Sequence, residues 1–97
     1  MKTVTIDFAG VNNRWRVHDV IKESFQSSVE GFPDFCGRNA DALWDCLTGF
    51  IETPVNIVVK GLNDVPADMR DYVGIILETF KDATELDWID IYCEIVS

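Results

Sequence analysis

Val55-Asn56-Ile57-Val58-Val59-Lys60 is a β-branched run with Val55, Ile57 and Val59 on one side, and it reads as a strand. Thr53-Pro54 ends the turn before it and Gly61–Val65 forms a loop after it. Pro66 then stands at N1 of a long helix that reaches Glu85, with Met69, Tyr72, Val73, Ile76, Leu77 and Phe80 as its apolar stripe. Trp88–Val96 alternates again, with Ile89, Ile91, Cys93 and Ile95 one way and Asp90, Tyr92 and Glu94 the other. Two strands joined by a helical crossover pair in parallel, and the crossover is right-handed.

Toward the N-terminus, Thr3–Phe8 alternates with Val4, Ile6 and Phe8 on one side, which predicts a third, half-buried strand. Gly10 and Asn12-Asn13 break it. Trp15–Ser27 follows as a helix, with Val17, Val20, Ile21 and Phe25 on its apolar face and either asparagine as a cap. Ser27–Gly37 is a loop. Asn39–Thr48 is a second helix: Asn39 suits its N-cap, and Gly49 stands where a terminating C′ glycine belongs. The order is β α α β α β, an α/β domain over residues 1–97 with a three-stranded parallel sheet. Each strand keeps one mostly polar face, so helices should cover the sheet on one side only.

The chain has 97 residues and a formal net charge of −9. Residues 1–38 carry five basic and five acidic side chains; residues 39–97 carry three basic and twelve acidic, so the whole excess lies after Arg38. Like charges repel, which argues against nucleic acid or an anionic membrane as a direct ligand and fits either a basic partner or mere solubility. No signal peptide and no run of spanning length is evident, and a cytoplasmic location is expected. Cys36, Cys46 and Cys93 are odd in number and have no C-x-x-C spacing; they read as reduced thiols, neither a disulfide framework nor a zinc site.

Catalytic signals are thin. His18 is the one histidine and has no evident partner, so it reads as a packing or surface residue. There is no G-x-S-x-G, no phosphate-cradling glycine loop and no calcium-loop spacing in the acidic segment Asp82–Asp90, and no metal or cofactor is expected. The second helix stands out instead. Asp41 and Asp45 are four residues apart, so their carboxylates share one face with Trp44 and Thr48, while Leu43, Cys46 and Leu47 face the core. No Lys or Arg within the helix neutralises them. Two readings of the spacing stay open: a hydrated acidic face beside a core tryptophan, or a face that meets a partner's cations. A glycosidase-like acid/base pair is disfavoured, because both carboxyls point the same way and do not flank a bond.

The run Gly37-x-Asn39-x-Asp41-Ala42-Leu43-Trp44-Asp45-Cys46-Leu47-Thr48-Gly49 resembles the inhibitory helix of the barstar-like family, intracellular inhibitors of the ribonuclease barnase. Phe50, Glu52, Pro54 and Phe80-Lys81-Asp82-Ala83 extend the likeness. The resemblance implies a two-layer fold, a cis Thr53–Pro54 bond, and a non-enzymatic inhibitor, monomeric when free, whose partner is a basic ribonuclease toxin. On this resemblance Asp45 is the deepest mimic of an RNA phosphate and Asp41 a second anchor. Phe35 stacks on the enzyme's histidine, Asn39, Trp44, Thr48 and Gly49 line the contact, and Asp82 adds a peripheral charge. Phe35 replaces a tyrosine of the family, Cys36 a second aromatic and Arg38 an acid, and the loop before the helix is longer; such rim changes alter partner choice. The alternative is an acidic interaction module of the same fold that has lost ribonuclease binding, with a small hydrolase a distant third.

Overall fold

The computed structural model describes residues 2–29, 39–49 and 53–96. Strand β1 is Lys2–Asp7, helix α1 Arg14–Ser28, helix α2 Ala40–Gly49, strand β2 Val55–Lys60, helix α3 Arg70–Thr84 and strand β3 Ile91–Ile95. The sheet order is β1-β2-β3 with both pairings parallel, Val4 opposite Ile57 and Ile57 opposite Cys93. The order β α α β α β and the parallel sheet are therefore as read from the alternation.

One sheet face carries the core. Val4, Ile6, Val55, Ile57, Val59 and Ile91 are buried, whereas Thr3, Thr5, Asp7, Tyr92 and Glu94 on the opposite face are exposed. Helix α1 packs on β1, α3 packs on β3, and α2 packs on α3. The helices deliver Val17, Ile21, Phe25, Leu43, Leu47, Val73, Ile76 and Phe80 to the same core. Each fully buried side chain of this size contributes roughly 1.5–3 kcal/mol.

The connections follow local chemistry. The chain turns after β1 through Gly10 at φ +80°, with Val11 N donating to Phe8 O at 3.2 Å. Gly61 sits at φ +77° beside Asp7 and Ala9; a Cβ there would lie 2.6 Å from Ala9 N, so no larger residue fits. The Thr53–Pro54 bond is cis, as the family resemblance implied.

Several element ends lie a residue away from the sequence reading, and three boundaries differ for a structural reason. Pro66 does not open an α-helix: a 3₁₀ turn, Ala67–Met69, comes first, closed by Met69 N to Pro66 O at 2.9 Å, and regular α3 begins at Arg70. Strand β3 starts at Ile91 rather than Trp88, because its pairing begins opposite Val55, the first residue of β2. Gly49 is the last residue of α2 and lacks a positive φ, so it is not a left-handed C′ glycine.

Candidate functional site: the acidic face of the second helix

Helix α2 is fixed at its start and along its inner side. The Asn39 side-chain oxygen accepts from Ala42 N at 2.8 Å, and its carbonyl accepts from Leu43 N at 3.0 Å. The first bond satisfies one of the donors a helix N-terminus leaves open, and the second is the helix's first backbone bond. Leu43, Cys46 and Leu47 are buried, and Trp44 is half-buried against the core. The Thr48 hydroxyl donates to Trp44 O at 2.9 Å. A helix held this way presents its outer face with little freedom to rotate.

That outer face is acidic. Asp41 and Asp45 are exposed, and among the described residues neither takes part in an ion pair; on α1, by contrast, Arg16 pairs with Glu23 at 3.5 Å. Asp41 lies in the first turn, where the helix dipole favours negative charge, and Asp45 lies one turn beyond that relief. Their chemistry is that of two fixed acceptors, each able to take paired hydrogen bonds from a guanidinium.

Six of the residues singled out from the sequence thus lie on or at the cap of one helix: Asn39, Asp41, Trp44, Asp45, Thr48 and Gly49. Two of them are already engaged. Asn39 has spent its oxygen on the cap and retains its NH₂ group as a donor, while Thr48 has spent its proton and retains an oxygen lone pair. Asp82 is exposed near the end of α3, the helix against which α2 packs. Phe35, and with it Cys36 and Arg38, lies outside the described residues.

The cysteines are not all reduced thiols, as their number and spacing had suggested. Cys46, on the inner side of α2, is disulfide-bonded; Cys93 is free, so the bond partner lies outside the described residues. An odd count and the lack of a C-x-x-C pair rule out a framework of bridges but leave room for a single one. Burial pushes the Cys93 thiol up, away from the thiolate form.

His18 proves to be a packing residue. It is buried, its Nε2 is hydrogen-bonded to the Tyr72 hydroxyl, and the two rings meet edge to face at 5.7 Å. The Arg14 guanidinium lies over the Tyr72 ring at 5.3 Å. Burial raises the Tyr72 phenol above its ordinary value, against the opposing pull of Arg14. This clamp ties α1 to α3. Among the described residues there is no group of His, Cys, Asp and Glu arranged to hold a metal ion, and no helix is long and apolar enough to cross a membrane.

A family model described as "Barstar (barnase inhibitor)" matches residues 1–93. The chain is also 35% identical over 85 residues to a protein of Bacillus subtilis (strain 168) named "Putative ribonuclease inhibitor YrdF", a match that covers 88% of each chain.

Proposed function

This chain belongs to the barstar family, and from that premise we propose that it is a cytoplasmic immunity protein that blocks the active site of a basic ribonuclease toxin. Helix α2 and the segment before it enter the enzyme's cleft. Asp45 occupies the deepest phosphate position and Asp41 a second one, each taking charge-assisted hydrogen bonds from the enzyme's Arg, Lys and His side chains. Phe35 stacks on the active-site histidine, and Asp82 reaches cations at the rim. Trp44 and Gly49 supply contact area. Asn39 donates through its amide, and Thr48 accepts through its oxygen. The protein is a monomer when free, binds no RNA itself, and performs no chemistry.

The observation that carries this reading is a pair of exposed carboxylates on one helix face that, among the described residues, take part in no ion pair, while the Asn39 and Thr48 side chains are engaged within the helix. Like charges four apart cost a few tenths of a kcal/mol in the free protein. A cationic cleft turns that cost into attraction and speeds encounter, because complementary fields steer association.

The test is co-expression with the ribonuclease or toxin encoded beside the gene. The wild-type chain should protect the cell, and Asp41→Ala with Asp45→Ala together should abolish protection. Protection that survives the double substitution would remove the site from α2. Absence of any binding to such enzymes would favour the interaction module of the same fold.

A further inference from the structure

Strand β3 forms an open edge of the sheet, with no neighbour beyond it among the described residues. Asp90 O accepts from Val55 N at 3.1 Å and Val96 N donates to Val59 O at 2.7 Å, so the even-numbered residues turn their backbone groups toward β2. In a parallel strand alternate residues bond to opposite sides, so the N–H and C=O groups of Ile91, Cys93 and Ile95 point to the open edge. The same three residues and Tyr92, with Leu77, Glu78, Lys81 and Thr84 of α3, line a mostly apolar groove of about 630 Å³. Cover fades along the strand: Ile91 is buried, Cys93 half-buried and Ile95 56% exposed. On the other face of the strand Asp90, Tyr92 and Glu94 are exposed, and the chain carries five acids and no base after Lys81.

We propose that this edge accepts an extended basic segment of another protein, which adds as a fourth strand beside β3. Its apolar side chains, at alternate positions, enter the groove against Cys93, Ile95 and Leu77. The intervening Lys or Arg side chains fall on the opposite face, across from Asp90 and Glu94 and within reach of the Tyr92 ring. Backbone hydrogen bonds supply affinity, and the apolar–cationic alternation supplies specificity. A second copy of this chain fits less well: a two-fold pairing of β3 with itself would bring the Asp90 and Glu94 rows of both copies together, and like charges on neighbouring strands repel. None of the groove's lining residues lies on α2, and its role does not depend on the role of that helix's acidic face.

The probe is a capped heptapeptide alternating Lys and Val, titrated into the ¹⁵N-labelled full chain. The amides of Ile91, Cys93, Ile95 and Leu77 should shift and saturate, and binding should weaken at least fivefold in Glu94→Lys and on raising salt. Ile95→Asn, at an exposed position, should also weaken it, while both variants keep their spectra dispersed and their protection against the ribonuclease unchanged. A peptide N-methylated at alternate residues on its pairing edge should not bind. The proposal is overturned if the shifts map to residues 41–48, if a Glu–Val peptide or the N-methylated peptide binds equally well, if nothing saturates, or if sedimentation shows the edge occupied by a second copy.

Discussion

Helices α1 and α2 begin alike. Asn13 caps α1 by accepting from Arg16 N at 2.9 Å, and Asn39 caps α2 by accepting from Ala42 N at 2.8 Å. Each then buries an apolar stripe in the same core. They diverge on the outside. The surface of α1 mixes signs, pairs Arg16 with Glu23, and places Arg14 over Tyr72. The surface of α2 has two acids and no base. Identical folding signals therefore support two different surfaces. The contrast separates what holds the molecule together from what it offers to a partner.

The largest expected effect tests the offered surface. Asp45→Ala should lower affinity for the cognate ribonuclease by about a thousandfold or more, on the order of 4 kcal/mol, as truncation of a central charged anchor does. Titration calorimetry or surface binding kinetics would measure it, and the urea midpoint should stay put. A tenfold loss or less would place Asp45 at the rim and erase the distinction between the two helices.

The holding surface is tested by Tyr72→Phe. It removes a partner of buried His18 and should cost about 1–2 kcal/mol of stability without touching inhibition. Its pH dependence has a definite sign. The folded-state phenol is raised above 10.0, so the stability it contributes is complete below pH 10 and lost as pH climbs through the raised value. Urea unfolding followed from pH 8 to pH 12 should show a steeper alkaline decline in wild type than in Tyr72→Phe.

The two caps sharpen the comparison at about 1 kcal/mol each. Asn13→Ala should reduce stability alone. Asn39→Ala should reduce stability by a similar amount and slow ribonuclease binding as well. Asn39→Ser should restore the stability, because serine caps, and leave binding impaired, because the amide donor is gone. Equal recovery of both would make Asn39 a cap and nothing more.

Much of this was legible in the sequence where the signal is local. The alternation of Val4, Ile6 and Phe8, the run Val55–Lys60, and the Asn39 cap each depend on residues a few positions apart, and each is found where expected. The misses depend on distant partners or on backbone angles. His18 and Tyr72 are 54 positions apart, and no periodicity joins them. The start of β3 is set by where β2 begins. Gly49 carries the composition of a helix stop, but only its φ shows that the helix includes it. Of the proposed contact residues, those of α2 fall together because one helix holds them, and helical spacing alone shows that; the relation of Asp82 to that set depends on how α3 packs.

The smallest effect carries the contrast furthest. Asp45→Asn keeps the shape of the side chain and removes one of two like charges four residues apart. It should therefore stabilise the free protein by a few tenths of a kcal/mol while abolishing inhibition. Glu23→Gln on α1 removes one member of an exposed ion pair and should leave stability the same or lower it by a few tenths. Both differences should shrink in high salt, since exposed charges are screened. Chemical denaturation at low and high salt can resolve the two signs if the variants are run side by side. Opposite signs mean that α1 spends its surface charge on its own stability, and that α2 keeps charge the fold would be better off without. Equal signs mean that Asp45 is balanced within the molecule, and a partner would then have to break that balance before it could bind.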